Sequence, residues 1–252
     1  MNSIKLYGYA TSPFVRKVGC CLHYKGLPFE FIPVNPIDPR EIAFTCQTQV
    51  PVLQIDDEWR KDSTQLALWL DSKFPEKPLF GRSAAEREQI LDLDQWVTSQ
   101  LLLSGFRAVA ESELTSKFRS FAWRLAAIVS SQTPLSDEVR SAWPEVLKMT
   151  PFIHHMMADV DSSEDLRSMQ RRVVVELIMH LGEGPYFGGL AQPSLVDMAI
   201  FPQLVFTYMV GLKDKLEVDQ APALLDWVKR MVPLLPENPL LVRDFIIVNK
   251  LT

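Results

Sequence analysis

Apolar positions fall into two rhythms along this chain, and the change comes near residue 75. In the first part they form short runs at strand spacing. Ile4-Lys5-Leu6-Tyr7-Gly8-Tyr9 predicts a strand, Ala10-Thr11-Ser12-Pro13 a loop, and Val15 to Tyr24 a helix that Gly26 stops. Pro13 suits a first helical turn, where no N–H donor is required. Phe29-Glu30-Phe31-Ile32-Pro33-Val34 is a second strand. Val50, Val52, Leu53 and Ile55 make a third, buried one, and Pro51 belongs at its start because proline has no ladder donor. A cis Val50-Pro51 bond would turn the Val50 backbone outward, offering its N–H and C=O to a ligand. Asp56-Asp57-Glu58 follows as a hairpin turn, Trp59-Arg60-Lys61 as a return strand, and Asp62-Ser63 as a helix entry. A helix start presents free N–H groups and a positive dipole end, which suit a carboxylate. The predicted order is β-α-β, a loop, then β-β-α.

Two prolines, Pro75 and Pro78, mark Phe74 to Leu79 as a linker, and everything beyond it is helical in pattern. This divides the chain into a first domain over 1–75, a linker over 76–82 and an all-helical domain over 83–252. Ser83-Ala84-Ala85-Glu86 is a capping box, launching a helix through Ile90, Leu93, Trp96, Val97 and Leu101. Phe118, Phe121, Ala122 and Leu125 place another helix over 117–129. Pro134, Pro144 and Pro151 break 131–160 into short helices and loops. Ser162-Ser163-Glu164-Asp165 opens a longer helix through Met169, Val173, Leu177 and Leu181, closed by Gly182. Ser194 caps the next helix, and Asp197 folds back to that cap. The apolar run from Leu240 to Val248 needs a packing surface, which the first domain can offer.

Composition narrows the function classes. With 252 residues, 47% hydrophobic and 23% charged, the chain is globular rather than disordered. A net charge of −5 provides no basic surface for nucleic acid. No apolar run is long enough to span a bilayer, and the start lacks the charge-plus-apolar pattern of a leader. Cys20, Cys21 and Cys46 cannot all pair, and adjacent cysteines have neither metal nor redox spacing, which points to the reducing cytoplasm. Cys20 and Cys21 fall mid-helix and are expected in the core. His154-His155 and the methionines beside them suit surface and core better than a metal site.

Ser12-Pro13-Phe14-Val15-Arg16, Gln49-Val50-Pro51 and Asp62-Ser63, with the Ser194/Asp197 box after a glycine-rich turn, resemble the cytosolic glutathione S-transferase family. The serine motif is most similar to the serine-using classes, tau and theta among them. The resemblance covers residues 4–74 and about 163–230, whereas 110–160 departs from it. It implies an α/β thioredoxin-like N-terminal domain that binds glutathione, followed by an all-α domain carrying the pocket for a small apolar electrophile. It also implies a homodimer, for which Leu66, Leu68, Trp69, Leu70, Leu91 and Leu101-Leu102-Leu103 provide more apolar positions than one core face needs.

For the site, the resemblance assigns Val50 the backbone pairing with the cysteinyl part of glutathione and Asp62 and Ser63 the γ-glutamyl ammonium and carboxylate. It also counts Gln49, at a position that helps in several classes, and Pro51 among the glutathione-binding residues, and Arg40 is the nearest candidate for the glycyl carboxylate. Ser12 would donate a hydrogen bond to the thiolate. A hydrogen bond to a charged group contributes about 1.5–3 kcal/mol, so one hydroxyl lowers a thiol pKa by about one to two units. Tyr7 and Tyr9, on one face by strand alternation, compete for that role, and Ser12 is otherwise a helix cap. No metal is required; glutathione enters as co-substrate. Trp96, Phe106, Trp123, Met156 and Met157 are candidates for an apolar pocket or for plain core. Besides an active transferase, two readings stand: a glutathione- or ligand-binding protein without turnover, and an interaction protein that keeps the fold.

Overall fold

Strand β1 (Ile4–Gly8) occupies the middle of a four-stranded sheet, pairing parallel to β2 (Glu30–Pro33) and antiparallel to β3 (Val52–Ile55). The hairpin partner β4 (Glu58–Lys61) completes the order β2-β1-β3-β4. The computed structural model describes residues 2–158, 160–210, 221–235 and 241. Helix α1 (Pro13–Lys25) follows β1 and ends on Gly26 at φ 69°. Gly8 sits where β1 meets that helix: a Cβ there would lie 2.4 Å from Val15 Cγ2, so a side chain is excluded. Helix α2 (Ser63–Lys73) lies beside α1 on the same sheet face, where Leu6, Leu53 and Ile55 meet Val18, Leu22, Leu66 and Leu70. Tyr7, Val34, Ile42 and Val52 form a smaller cluster on the other face, against the 3-10 turn Arg40–Thr45.

Leu66, Trp69 and Leu70 are therefore spent inside the molecule, not on a subunit surface. One face of α2 meets the sheet and the neighbouring face meets α1 and the helical part, so a single-face estimate undercounts what it buries. Leu101 and Leu103 are buried as well, while Leu68, Leu91 and Leu102 are half-buried and pack on the same core.

The helical part begins with α3 (Ala84–Trp96), whose capping box closes as predicted: Glu86 N–H donates to Ser83 Oγ at 3.1 Å and Ser83 N–H to Glu86 Oε2 at 3.1 Å. A π-helical turn, Val97–Leu102, connects it to α4 (Leu103–Glu111). The wider turn shifts the helical phase. Helices α5 (Ser116–Ser130), α6 (Asp137–Ser141), α7 (Trp143–Lys148) and α8 (Pro151–Met157) follow. Pro144 and Pro151 start helices there rather than interrupting them. A separate small core of Phe118, Ala122, Leu125, Val129, Trp143 and Val210 holds α5 to α7.

Helix α9 (Leu166–Leu181) is capped by Asp165, which accepts from the Arg167 and Ser168 N–H groups, and not by either preceding serine. Helices α10 (Leu195–Met209) and α11 (Pro222–Met231) complete the described part. At the start of α10, fully buried Asp197 accepts from Ser194 N–H (2.8 Å), Phe187 N–H (3.2 Å) and Trp227 Nε1–H (2.7 Å). The predicted fold-back is thus part of a junction joining three chain segments. Burial pushes this carboxyl up to about 6 against those donors. Leu241 is buried against Gly19 of α1, and the remainder of the predicted apolar run, 240 and 242–248, lies outside the described residues. Cys20 and Cys21 are buried mid-helix, and burial pushes Cys21 up to about 12 and Cys20 well above the ordinary thiol value.

Candidate functional site

Three segments meet at one end of the sheet because the strand register puts them there. Tyr7 pairs with Val52, and Val52 pairs with Lys61. The loop carrying Ser12 leaves β1 just beyond Tyr7, Val50-Pro51 enters β3 just before Val52, and Asp62-Ser63 leaves β4 just after Lys61. Neighbouring strands lie roughly 4.8 Å apart. The three segments therefore span about 10 Å, close to the length of an extended tripeptide at about 3.3–3.6 Å per residue.

Ser12 is 5% exposed and is the N-cap of α1, its Oγ accepting the Val15 N–H at 3.4 Å. Among the described residues its hydroxyl proton has no acceptor, so the group caps the helix and keeps a donor to spare. Strand alternation does not extend to Tyr9, because β1 ends at Gly8 and Tyr9 belongs to the turn that follows, its carbonyl accepting Ser12 N–H at 2.9 Å. Tyr7 points into the smaller core and donates its O–H to Gln54 Oε1 at 2.9 Å. Tyr9 is half-buried, and burial raises its phenol above the ordinary value, keeping it protonated.

The Val50-Pro51 bond is cis. Neither the N–H nor the C=O of Val50 is bonded to another described residue. Gln49 is exposed, and both its backbone groups are bonded to the Gln47 side chain. Asp62 is the N-cap of α2 at φ 71°, a conformation costing a non-glycine residue about 1–3 kcal/mol. Its Oδ1 accepts from Thr64 N–H (3.1 Å) and Gln65 N–H (3.0 Å), leaving Oδ2 and the Ser63 N–H without partners among the described residues. Ser63 itself is buried. Arg40 is not drawn to this cluster. Its side chain is 85% exposed and pairs locally with Asp38 at 2.6 Å.

Behind the first turn of α2 lies a buried triad that the sequence did not bring forward. Lys17 Nζ donates to Asp94 Oδ1 (2.6 Å), Asp94 Oδ2 (2.8 Å) and Thr64 Oγ1 (3.0 Å), and Thr64 Oγ1 donates to Asp94 Oδ2 (2.7 Å). It joins α1, α2 and α3 through Thr64, the residue after Ser63. The signal for it was present: Ile90, Leu93, Asp94 and Val97 keep the spacing of one buried helix face, with a carboxylate in an apolar slot. Next to Lys17, Arg16 is also buried. It donates to Ala10 O (2.9 Å) and Gln203 Oε1 (2.6 Å) and lies 3.8 Å over the Phe206 ring. Burial lowers its guanidinium to about 9.

Apolar side chains gather around the first turn of α1. Phe14, on the first turn of α1, meets Phe152 of α8 edge-on at 5.9 Å, and Phe152 meets Phe106 of α4 at 5.2 Å. Of the other pocket candidates, Trp96 packs on His180 at 4.5 Å along α9, Trp123 is exposed, and Met156 joins the main core. Met157 is half-buried.

Comparisons with known proteins bear on the family and the fold. Sequence models described as the glutathione S-transferase N-terminal domain and C-terminal domain match residues 6–78 and 161–230. Glutathione S-transferase U1 of Arabidopsis thaliana is 25% identical over 115 residues, covering 44% of this chain and 51% of that protein. The chain thus spans about half the length of that relative. Prostaglandin E synthase 2 of Mus musculus is 40% identical over 287 aligned positions, covering 94% of this chain and 72% of that protein. In fold, the chain is similar to the beta-etherase LigF from Sphingobium sp. strain SYK-6, with TM-score 0.63, 20% identity, and coverage of 92% and 97%. It is likewise similar to glutathione transferase Omega 3C from Trametes versicolor, with TM-score 0.60, 19% identity, and coverage of 95% and 87%.

Proposed function

This chain belongs to the glutathione S-transferase family, and on that premise we propose that it transfers the glutathione thiolate to a small apolar electrophile, with the Ser12 hydroxyl stabilising the sulfur. The observation that carries the proposal is the alignment of Ser12, Val50 and Asp62-Ser63 along one sheet end, each with a hydrogen-bonding group that no described residue takes up. In this reading the Val50 backbone pairs with the cysteinyl unit. The Ser63 N–H at the α2 N-terminus receives the γ-glutamyl carboxylate, and the free Asp62 oxygen its ammonium. The cysteinyl sulfur then falls at Ser12, where the α1 dipole adds to the hydroxyl. Gln49 and Pro51 hold the strand entry. Arg40 would have to leave Asp38 to reach the glycyl carboxylate, so its part is the smallest. Burial raises the Cys20 and Cys21 thiols, so neither of these two supplies the thiolate in this reading.

The reading includes a cytoplasmic homodimer. With the α2 leucines consumed by the core, the apolar surface for a second copy is on α9, where Val175, Ile178 and Met179 are exposed.

The test is Ser12→Ala, with the absorbance of the bound thiolate titrated against pH. The pKa of bound glutathione should rise by about one to two units while glutathione affinity stays nearly the same. Turnover near neutral pH should fall about ten- to a hundredfold and recover partly as pH rises. An identical titration curve would overturn the role of Ser12. A second reading, prostaglandin-E-synthase-like activity, is favoured by one observation: the mouse synthase aligns along 94% of this chain, including the stretch between residues 78 and 161 that the two domain models leave unmatched. Formation of a prostaglandin E product by the purified protein would support it, and turnover confined to simple electrophiles would remove it.

A further inference from the structure

One side chain of the helical part reaches across to the loop that carries Ser12. Gln203, on α10, donates its Nε2–H to Pro13 O at 3.3 Å, and its Oε1 accepts from Arg16 Nη2–H at 2.6 Å. Arg16 in turn donates from Nη1 to Ala10 O at 2.9 Å. We propose that Gln203 and Arg16 clamp the main chain on either side of Ser12, and that Gln203 is thereby a positioning residue for the thiolate-stabilising hydroxyl. The proposal rests on the transferase reading and adds to it that α10 sets how strongly the thiol is activated.

Its own cap holds the hydroxyl only weakly. Ser12 Oγ lies 3.4 Å from Val15 N, beyond the usual N–H···O range of roughly 2.7–3.2 Å. A serine hydroxyl has one heavy-atom torsion and a free O–H rotor, so its aim follows from where the main chain puts Cβ. That main chain is tied at four carbonyls. Tyr9 O accepts Ser12 N–H at 2.9 Å and Ser12 O accepts Arg16 N–H at 3.1 Å, both by backbone donors of the same turn. The other two, Ala10 O and Pro13 O, are held by the side chains of the clamp.

The clamp is itself fixed on α10. Gln203 Nε2 also donates to Ala199 O at 3.1 Å, one turn back, so its own helix orients the amide. Phe206, three residues on and on the same side of α10, lies 3.8 Å from the Arg16 guanidinium with its ring facing it. Lys17 and Lys25, buried on the same helix as Arg16, take the carboxylates of Asp94 and Asp71. Arg16 meets a neutral amide instead, and the geometry gives the reason. A carboxylate at 203 would accept from the guanidinium but offer Pro13 O no donor, whereas an amide does both.

Titrating the bound glutathione thiolate by its absorbance, with affinity by calorimetry, tests the clamp without a second substrate. Gln203→Met follows the same side-chain path with neither an N–H donor nor an oxygen. Its bound thiol should have a pKa higher by about half to one unit, part of the one to two units that a well-aimed hydroxyl supplies. Glutathione affinity at about pH 6, where the thiol is largely protonated, should stay within about twofold, since the peptide is held elsewhere. Gln203→Asn keeps the amide one methylene short of Pro13 O and should shift the titration the same way, so the test stands even if Met at this half-buried position disturbs folding. Combined with Ser12→Ala, Gln203→Met should add less than about 0.2 unit, because the clamp acts through a hydroxyl that is gone. An unshifted titration in both Gln203 variants, or an equal shift with and without Ser12, overturns the clamp alone. Ser12→Ala titrating as the wild type removes the role of Ser12 and the clamp with it, and a wild type that binds no glutathione overturns the transferase reading.

Discussion

Asp94→Ala is the most exposing perturbation of this fold, because it strands a cation. Both members of the Lys17–Asp94 pair have side chains 5% exposed, at 2.6 Å. Removing one partner of a buried pair costs about 3–5 kcal/mol, mostly for the charge left behind. Lys17 would keep only Thr64 Oγ1, a single neutral acceptor at 3.0 Å. Against a typical stability of about 5–15 kcal/mol, such a loss is a large share. The combined Lys17→Met, Asp94→Leu protein has no charge to strand, and apolar replacement of buried pairs is often neutral or better. It should lose less than about 2 kcal/mol, whereas Lys17→Met and Asp94→Leu alone should each cost about 3–5 kcal/mol, so the cycle these two singles close with the wild type gives a coupling of at least about 4 kcal/mol.

Urea unfolding of these proteins measures this, with unchanged slopes showing that the transitions are comparable. The triad also braces the first turn of α2, where Thr64 follows Ser63. Glutathione affinity should therefore weaken by about three- to tenfold in Asp94→Ala, with turnover at saturating glutathione nearly unchanged, the pattern of lost ground-state binding. A loss below about 1 kcal/mol in the single variant, or strict additivity in the cycle, would refute the reasoning.

Asp62→Asn keeps an oxygen for the Thr64 and Gln65 N–H groups but removes the charge, so thermal stability should hold while glutathione binding weakens about fivefold; equal loss from Asp62→Asn and Asp62→Ala would mean that only the cap matters. Asp197→Asn puts an NH₂ group among donors and should cost about 2 kcal/mol or more in chemical unfolding. Because burial raises the folded Asp197 pKa to about 6, above the ordinary 3.8, its linkage favours folding below about pH 4 and is lost as pH rises through 6. The slope of stability against pH between 4 and 6 should thus become less negative in Asp197→Asn. Sedimentation at micromolar concentration should show a dimer that Met179→Glu dissociates; a species near 28.7 kDa in the unaltered protein would count against it.

Local features were legible in the sequence because local chemistry decides them. The Ser83 box, the Gly26 stop, the Asp56-Asp57 turn and the Ser194–Asp197 fold-back each lie within a few residues and follow from orphan donors seeking acceptors. The placement of Ser12, Val50 and Ser63 was legible to the same extent, since strand ends and helix starts decide it. Phe152 was not legible. A phenylalanine after a helix-starting proline predicts burial, and nothing nearby specifies contact with Phe14, 138 positions away. The leucines of α2 misled for the opposite reason, their number suggesting a spare face that the fold fills from two sides.

Arg16 and Lys17 show how much a sequence can hold once one constraint is added. Both lie in a helix whose residues from Val15 to Leu22 are all buried, so each cation must find a partner. Neighbours on a helix point about 100° apart, so one acceptor cannot serve both. Asp94 occupies an apolar slot of a buried stripe and must find a cation for the same reason. Helical phase then decides which. Lys17 faces α3 and takes Asp94, while Arg16 faces α10 and takes Gln203, the Ala10 carbonyl and the Phe206 ring. The division also suits the two side chains. The compact ammonium accepts a carboxylate and a hydroxyl at one point, and the planar guanidinium spreads over a ring and two separate oxygens. Two adjacent buried cations thereby tie the sheet layer to different helices, one bracing the first turn of α2 and the other the loop that carries Ser12.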